Sequence, residues 1–327
     1  MPNIHEVARM AGVSVATVSR VINDHASVST KTRLKVETAI KKLNYEPNML
    51  GRNLRTSKSQ MILIVVPSIS NPFYAEIIKG IEDTVTYHQY NILLFATDSK
   101  AEKENTYFDL LKKRLVDGVI TMDPALNKSK LYDLVKDFPI IQCSEYDETG
   151  KIPFISIDNE TAAYQAVKHL IKLGHEKIGL INSSNRYLYA RLREKGYKRA
   201  LKEFDMPIDP NWIVYTDALD FNYGQNAMKK LFQLQDKPTA VFAVSDTLAI
   251  GALKEIHNQK LHVPDDMAII GFDNLAFSKM TYPTLTTVTQ PMYKMGTLAA
   301  KMIIDSINGK PIESLLLDHE LMIREST

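Results

Sequence analysis

Val15, Ala16, Thr17, Ser19 and Arg20 crowd into one short stretch near the start of the chain. Their side chains offer the kinds of contact that a DNA duplex accepts. An arginine can grip guanine with two hydrogen bonds, and small apolar groups such as those of Val15 and Ala16 can meet thymine methyls in the major groove. Hydroxyls such as those of Thr17 and Ser19 suit phosphates, which position a protein without reporting sequence. A second set of chemistry-bearing residues lies far downstream, in segments 68–74, 245–246 and 271–274. It combines aromatic rings, carboxylates and amides, a mixture that suits hydroxyl-rich ligands.

The first set needs a helix to present it. Ile4, Val7, Ala8 and Ala11 recur at i, i+3, i+4 and i+7, one apolar stripe. Gly12 then supplies a turn, Val13 a plug for the corner and Ser14 an N-cap. Val18, Val21 and Ile22 face the next helix inward, so Val15, Ala16, Ser19 and Arg20 face outward. Two short helices joined this way predict a helix-turn-helix. A third helix follows, capped by Ser29, with Val36, Ala39, Ile40 and Leu43 inward and Lys31, Arg33, Lys35, Lys41 and Lys42 around it. Pro47 stops it, because the residue before a proline disfavours helical geometry. Residues 49–59 are too few for a helix stable alone, and Gly51 and Asn53 weaken it further. Helix there is expected only in a complex.

Charge divides the chain in the same place. Residues 1–60 carry ten basic and four acidic residues, a balance of +6, while the rest carries thirty against thirty-four, −4. A basic module on a mildly acidic body points to a polyanion partner for the first alone. The length of 327 residues suits two or three domains. No apolar run approaches the roughly 18 residues of a membrane helix, and the polar, acidic start does not read as a signal peptide. A cytoplasmic protein without a membrane partner is expected. Cys143, the only cysteine, can close no intrachain disulfide and is expected to be buried packing.

Beyond residue 60 the pattern becomes α/β. Strands are predicted over 62–66, 92–95, 118–121, 139–142, 154–157, 178–181, 240–243 and 268–271, with helices such as 73–87, 161–173, 192–204, 227–234 and 247–258 between them. Such alternation predicts parallel sheets with helices on both faces, and ligands in them sit beyond the strand C-termini. Dinucleotide, P-loop, zincin and hydrolase-elbow motifs are all missing. His169 and His175 flank a helix end and suit capping or surface roles better than metal binding. No enzyme, metal or cofactor is expected.

Residues 4–23, Ile-His-Glu-Val-Ala-Arg-Met-Ala-Gly-Val-Ser-Val-Ala-Thr-Val-Ser-Arg-Val-Ile-Asn, resemble the head of the LacI/GalR family of repressors. Segments 70–76, 174–175, 237–242, 263–266, 270–274 and 283–291 resemble the body of the same family, so the likeness spans essentially the whole chain. Within the family, 152–159 and 318–327 look most like its cytidine-responsive members, and 70–84 equally like its catabolite-control and ribose-responsive ones. The resemblance implies a helix-turn-helix domain over 1–46, a hinge helix over 47–59, and a periplasmic-binding-protein-like body over 60–327. Its first lobe would take about 60–159 plus 291–317, and its second about 160–290 plus 318–327.

By the same likeness Asn23 joins the DNA-reading residues, and paired hinges enter the minor groove with Leu54 as the wedge and Arg52 and Arg55 against phosphates. An apolar wedge unstacks a base step and bends the duplex. Gly51 stands where the family has alanine and makes this hinge harder to order. Paired hinges imply a homodimer on palindromic operator DNA, with a tetramer left open. In the body, Asn71, Phe73, Tyr74, Arg193, Phe221, Asp246, Asp273 and Gln290 are the implied effector-binding residues. Asp246 has an alternative role as a helix cap, Asn71 as turn chemistry and Arg193 as a surface residue. Ser245 replaces an asparagine common in sugar binders, and a nucleoside, pentose or related sugar is the expected effector. Control by a corepressor or partner protein is the alternative, followed by a plain sugar-binding or enzymatic α/β protein.

Overall fold

The computed structural model describes residues 2–22, 27–45, 58–98, 100–123 and 128–327. The chain divides into two compact units, Met1–Lys58 and Ser59–Thr327.

In the first unit, α1 (Ile4–Ala11) opens with a reciprocal cap between Asn3 and Glu6 and ends at Gly12, whose φ of 65° is left-handed. A side chain at position 12 would be strained, which is why glycine makes this turn. Ser14 accepts from the Thr17 backbone N–H at 3.2 Å and starts α2 (Val15–Ile22). Ser29 likewise starts α3 (Thr30–Leu43). The three helices bury Val7, Ala8, Ala11, Val18, Val21, Val36, Ala39 and Tyr45 together, with Val13 packed at the corner as expected.

The second unit contains two six-stranded sheets. The first sheet is built from β1 (Met61–Val66), β2 (Asn91–Ala96), β3 (Gly118–Thr121), β4 (Ile140–Cys143), β5 (Phe154–Ile157) and β11 (Leu315–Leu317), in the order β11-β5-β4-β3-β1-β2. Helices α4 (Pro72–Tyr87), α5 (Ala101–Lys112), α6 (Lys128–Leu134) and α11 (Met292–Ile307) belong with it. One face packs on α4 and α11 through Ile77, Ile81, Met295 and Ile303, and the other on Tyr107, Phe108, Leu111 and Leu131. Cys143 is fully buried here, and burial pushes its thiol up to about 12.

The second sheet is built from β6 (Ile178–Ser183), β7 (Ile213–Thr216), β8 (Ala240–Ala243), β9 (Ala268–Asp273), β10 (Thr286–Thr289) and β12 (Glu320–Met322), in the order β12-β10-β9-β8-β6-β7. Helices α7 (Asn159–Lys172), α8 (Leu188–Glu203), α9 (Phe221–Phe232) and α10 (Asp246–Asn258) accompany it. Every strand pair is parallel except β10 with β12. The chain passes between the sheets three times, after β5, after β10 and after β11.

Strands β7, β10, β11 and β12 have no counterpart among the expected strands. The Thr286–Thr289 run of β10 is too polar to read as core, although Thr286 and Thr287 are fully buried. The other three are edge strands of three or four residues. Among the described residues no helix is long and apolar enough to cross a membrane.

Candidate functional site

On α2, Ala16 and Arg20 are exposed one turn apart and form one solvent-facing patch. Val15 is half-buried and leans on the head's core, so its expected outward position is corrected to a flanking one. The Thr17 hydroxyl lies 2.9 Å from that of Ser14, within the helix cap. Ser19 is half-buried. Asn23, Arg52, Leu54 and Arg55 lie outside the described residues.

In the body, the loops that follow β1, β4, β6, β7 and β9 converge between the two lobes. An open cavity of about 230 Å³ is lined by Ser68, Asn71 and Tyr74 from the first lobe and by Ser183, Tyr187 and Tyr189 from the second, with Asp217 to Asp220 at its mouth. Tyr187 and Tyr189 stack with centroids 5.3 Å apart. Beneath them, Phe73, Arg193, Asp273 and Gln290 close the floor around a space of about 20 Å³, roughly one water.

The floor is a buried polar network. Arg193 donates Nε to Asn159 Oδ1 at 2.9 Å and Nη1 to the Val244 carbonyl at 2.5 Å, and lies 3.8 Å from Asp273. Its guanidinium sits 3.5 Å over the Phe272 ring. Gln290 Nε2 donates to Asp273 Oδ1 at 2.7 Å. Burial raises the Asp273 carboxyl, while Arg193 and Gln290 pull it back down. These groups offer charge-assisted hydrogen bonds to ligand hydroxyls, and the tyrosines offer faces for a ring.

The two lobes also meet directly. Glu145, just after β4, accepts from the backbone N–H groups of Leu188 and Tyr189 at 2.5 and 3.3 Å, at the start of α8. Burial pushes its carboxyl up to about 7. Arg191 Nη2 meets Glu148 at 3.1 Å on the exposed flank.

Residues 3–48 match the model described as bacterial regulatory proteins of the lacI family, and residues 59–325 the one described as periplasmic binding proteins and sugar binding domain of LacI family. The chain belongs to the LacI family of bacterial regulators. It is 38% identical to catabolite control protein A of Priestia megaterium, covering 99% of this chain and 98% of that one. Identity to the transcriptional repressor CytR of Escherichia coli K12 is 37%, over 98% and 95%. A crystal structure of the lac repressor dimer bound to operator and the anti-inducer ONPF superposes with a TM-score of 0.91 at 27% identity, covering 99% and 98%. This LacI-family chain is therefore a DNA-binding transcriptional regulator under effector control, and its relatives are regulators rather than enzymes.

Of the eight effector residues the LacI resemblance implied, the fold brings six to the cleft: Asn71, Phe73, Tyr74, Arg193, Asp273 and Gln290. Asn71 also caps α4, accepting from Phe73 N–H at 3.0 Å. Arg193 is not a surface residue. Asp246 is fully buried behind the floor, and both its oxygens are engaged, one by Thr287 Oγ1 at 2.5 Å and one by Leu275 N–H at 2.7 Å. It ties the start of α10 to β10 and to the loop after β9, a correction to the expected ligand contact. Gly271 fits this arrangement, since a Cβ there would collide with the Asp246 carboxylate. Phe221 begins α9, is 39% exposed and is not among the lining residues, whereas its neighbours Leu219 and Asp220 are. Tyr187 and Tyr189 are among the lining residues the sequence did not reveal, as is Glu145, which lines a neighbouring cavity on the other side of the α8 N-terminus. The signal was a tyrosine pair straight after an apolar strand, at the C-terminal end where such folds bind ligands. His169 and His175 bond Thr327 and Thr239 hydroxyls at 3.1 and 3.0 Å.

Proposed function

We propose that this regulator is a cytoplasmic homodimeric repressor of a pseudo-palindromic operator, released or tightened by a nucleoside, pentose or related sugar in the interlobe cleft. The observation that carries the effector reading is the Arg193, Asp273 and Gln290 network under stacked tyrosines, polar at the floor and aromatic above. Ligands of that class present hydroxyls to such a floor and a ring face to such a wall.

In the head, α2 enters the major groove with Ala16 and Arg20 toward bases and Val15 at their flank, Thr17 and Ser19 toward the backbone, and Asn23 among the DNA-contacting residues. A hinge over 47–59 places Leu54 in the minor groove between Arg52 and Arg55. Dimer formation is supported by exposed apolar side chains on the body. Leu93 and Leu94 lie on the edge strand β2, and Phe277, Met280 and Tyr282 lie in the loop before β10. Apolar surface of this kind favours burial against a second copy.

The test is thermal-shift screening of the full chain against nucleosides and pentoses, followed by operator titration with every hit. Stabilisation by at least one compound and a changed operator affinity are expected. Silence across both classes would overturn the effector reading while leaving the DNA-binding assignment standing. In the same titrations Leu54→Ala is expected to lose specific operator binding with an unchanged melting profile. Normal affinity in that variant would remove the wedge.

A further inference from the structure

In α/β folds, helix N-termini beyond the strands are the usual seats for phosphate, because unpaired backbone N–H groups and the positive end of the helix dipole converge there. Three such N-termini reach this cleft, and each is already occupied by a side chain of the protein. Asn71 accepts from Phe73 N–H at 3.0 Å on α4, and Asp220 from Tyr223 N–H at 3.0 Å on α9. On α8, Tyr187 at the N-cap position makes no side-chain cap bond. The cap comes instead from the other lobe, through Glu145. Two of the three caps are therefore carboxylates.

Charge at the mouth points the same way. Asp98, Asp217 and Asp220 line it, and Arg186 is the only cation among the described lining residues. That guanidinium lies 4.6 Å over the Tyr187 ring and donates to the Tyr187 hydroxyl. At the floor, Arg193 is held by Asn159, Val244 and Asp273. Among the described residues of the mouth one arginine thus stands against three carboxylates, and a phosphate at α8 or α9 would have to displace a carboxylate and then sit beside it.

We propose that the cleft selects an effector without phosphate, an uncharged polyhydroxylated nucleoside or free sugar. Glu145 and Asp220 are the residues that reject the phosphate esters of the same compounds. The inference rests on the reading of the cleft as the effector site.

Calorimetric titration of the full chain with matched pairs tests it: ribose and ribose 5-phosphate, cytidine and its 5′-monophosphate, adenosine and its 5′-monophosphate. Working at pH 8 keeps Glu145, whose carboxyl burial pushes up to about 7, mainly in its ionised form. At least one parent compound is expected to bind, and its ester about 100-fold more weakly or worse, since like charges are forced together. The double variant Glu145→Gln, Asp220→Asn should narrow that gap by about ten-fold or more. Should the double variant fail to fold, Asp217→Asn at the exposed rim should narrow the gap in the same direction.

An ester that binds as tightly as its parent overturns the inference and leaves the cleft reading intact. A gap unchanged in the folded variants does the same. If no compound of either series binds, the nucleoside-or-sugar reading and this inference fall together.

Discussion

Replacing Arg193 with alanine is expected to abolish effector binding and to weaken the body by about 3–5 kcal/mol, the usual cost of leaving one partner of a buried ion pair behind. The side chain is 4% exposed and belongs to no surface network. It joins α8 to Asn159 at the first passage between lobes, to the carbonyl of Val244 after β8, and to Asp273 after β9. Without it, among the described residues Asp273 keeps only the Gln290 amide as a side-chain partner, and burial drives its carboxyl further toward the neutral form. Arg193→Lys keeps the charge and loses the planar fork, so it cannot satisfy Asn159 and Val244 together. An intermediate stability with strongly weakened binding is expected for lysine. Urea unfolding and calorimetric titration of the three proteins check both parts. Effector affinity within about three-fold of wild type in Arg193→Ala, less than one ordinary hydrogen bond, would take Arg193 out of the site.

Glu145→Gln is expected to remove a pH dependence of stability. Burial lifts the Glu145 carboxyl from 4.5 to about 7, against the pull of the Leu188 and Tyr189 N–H groups. Between those values the folded protein still holds a proton that the unfolded chain has released. Glu145's contribution to stability therefore falls as pH rises from about 4.5 to about 7 and levels off above it. The whole shift corresponds to about 3 kcal/mol. Glutamine retains an oxygen for the 2.5 Å bond to Leu188, forfeits the longer one to Tyr189, and does not ionise. Relative to wild type, the variant should gain about 2–3 kcal/mol between pH 5 and pH 8, which denaturant titrations at the two pH values would measure. A difference independent of pH would show that Glu145 is not held as a buried carboxyl between the lobes.

The head was the most legible part of the chain, because its helices are short and each carries its own local signals. Ser14 and Ser29 cap where their spacing to the apolar stripe said they would, and Gly12 takes the left-handed turn. Val15 was misread because its position as the first residue of α2 lets it reach back to the core, a tertiary effect that the stripe does not carry. In the body, strands rich in Val, Ile and Leu were read within a residue or two. The threonine strand β10 was not, since its burial depends on partners far away in sequence, Asp246 and the C-terminal segment through Arg324 and Ser326.

The cleft was half legible for the same reason. Arg193, Asp273 and Gln290 lie on three separate elements, and only the family likeness united them. Asp246 followed a strand just as Asp273 ends one, but Asp246 turns back behind β9 while Asp273, at φ 117°, turns toward the floor. Glu145 was invisible, because a carboxylate that caps a helix in the opposite lobe leaves no local pattern.

The central claim is that a ligand in the cleft governs the head's grip on DNA. The direct measurement is fluorescence anisotropy of the full chain on an operator that the protein itself has selected from random-sequence duplexes. It is made with and without saturating cleft ligand at one fixed salt concentration, for wild type and Arg193→Ala. Wild type is predicted to change operator affinity by about ten-fold or more on adding ligand, and the variant not at all. An operator affinity unmoved by a ligand that calorimetry finds bound to the wild-type cleft would contradict the account.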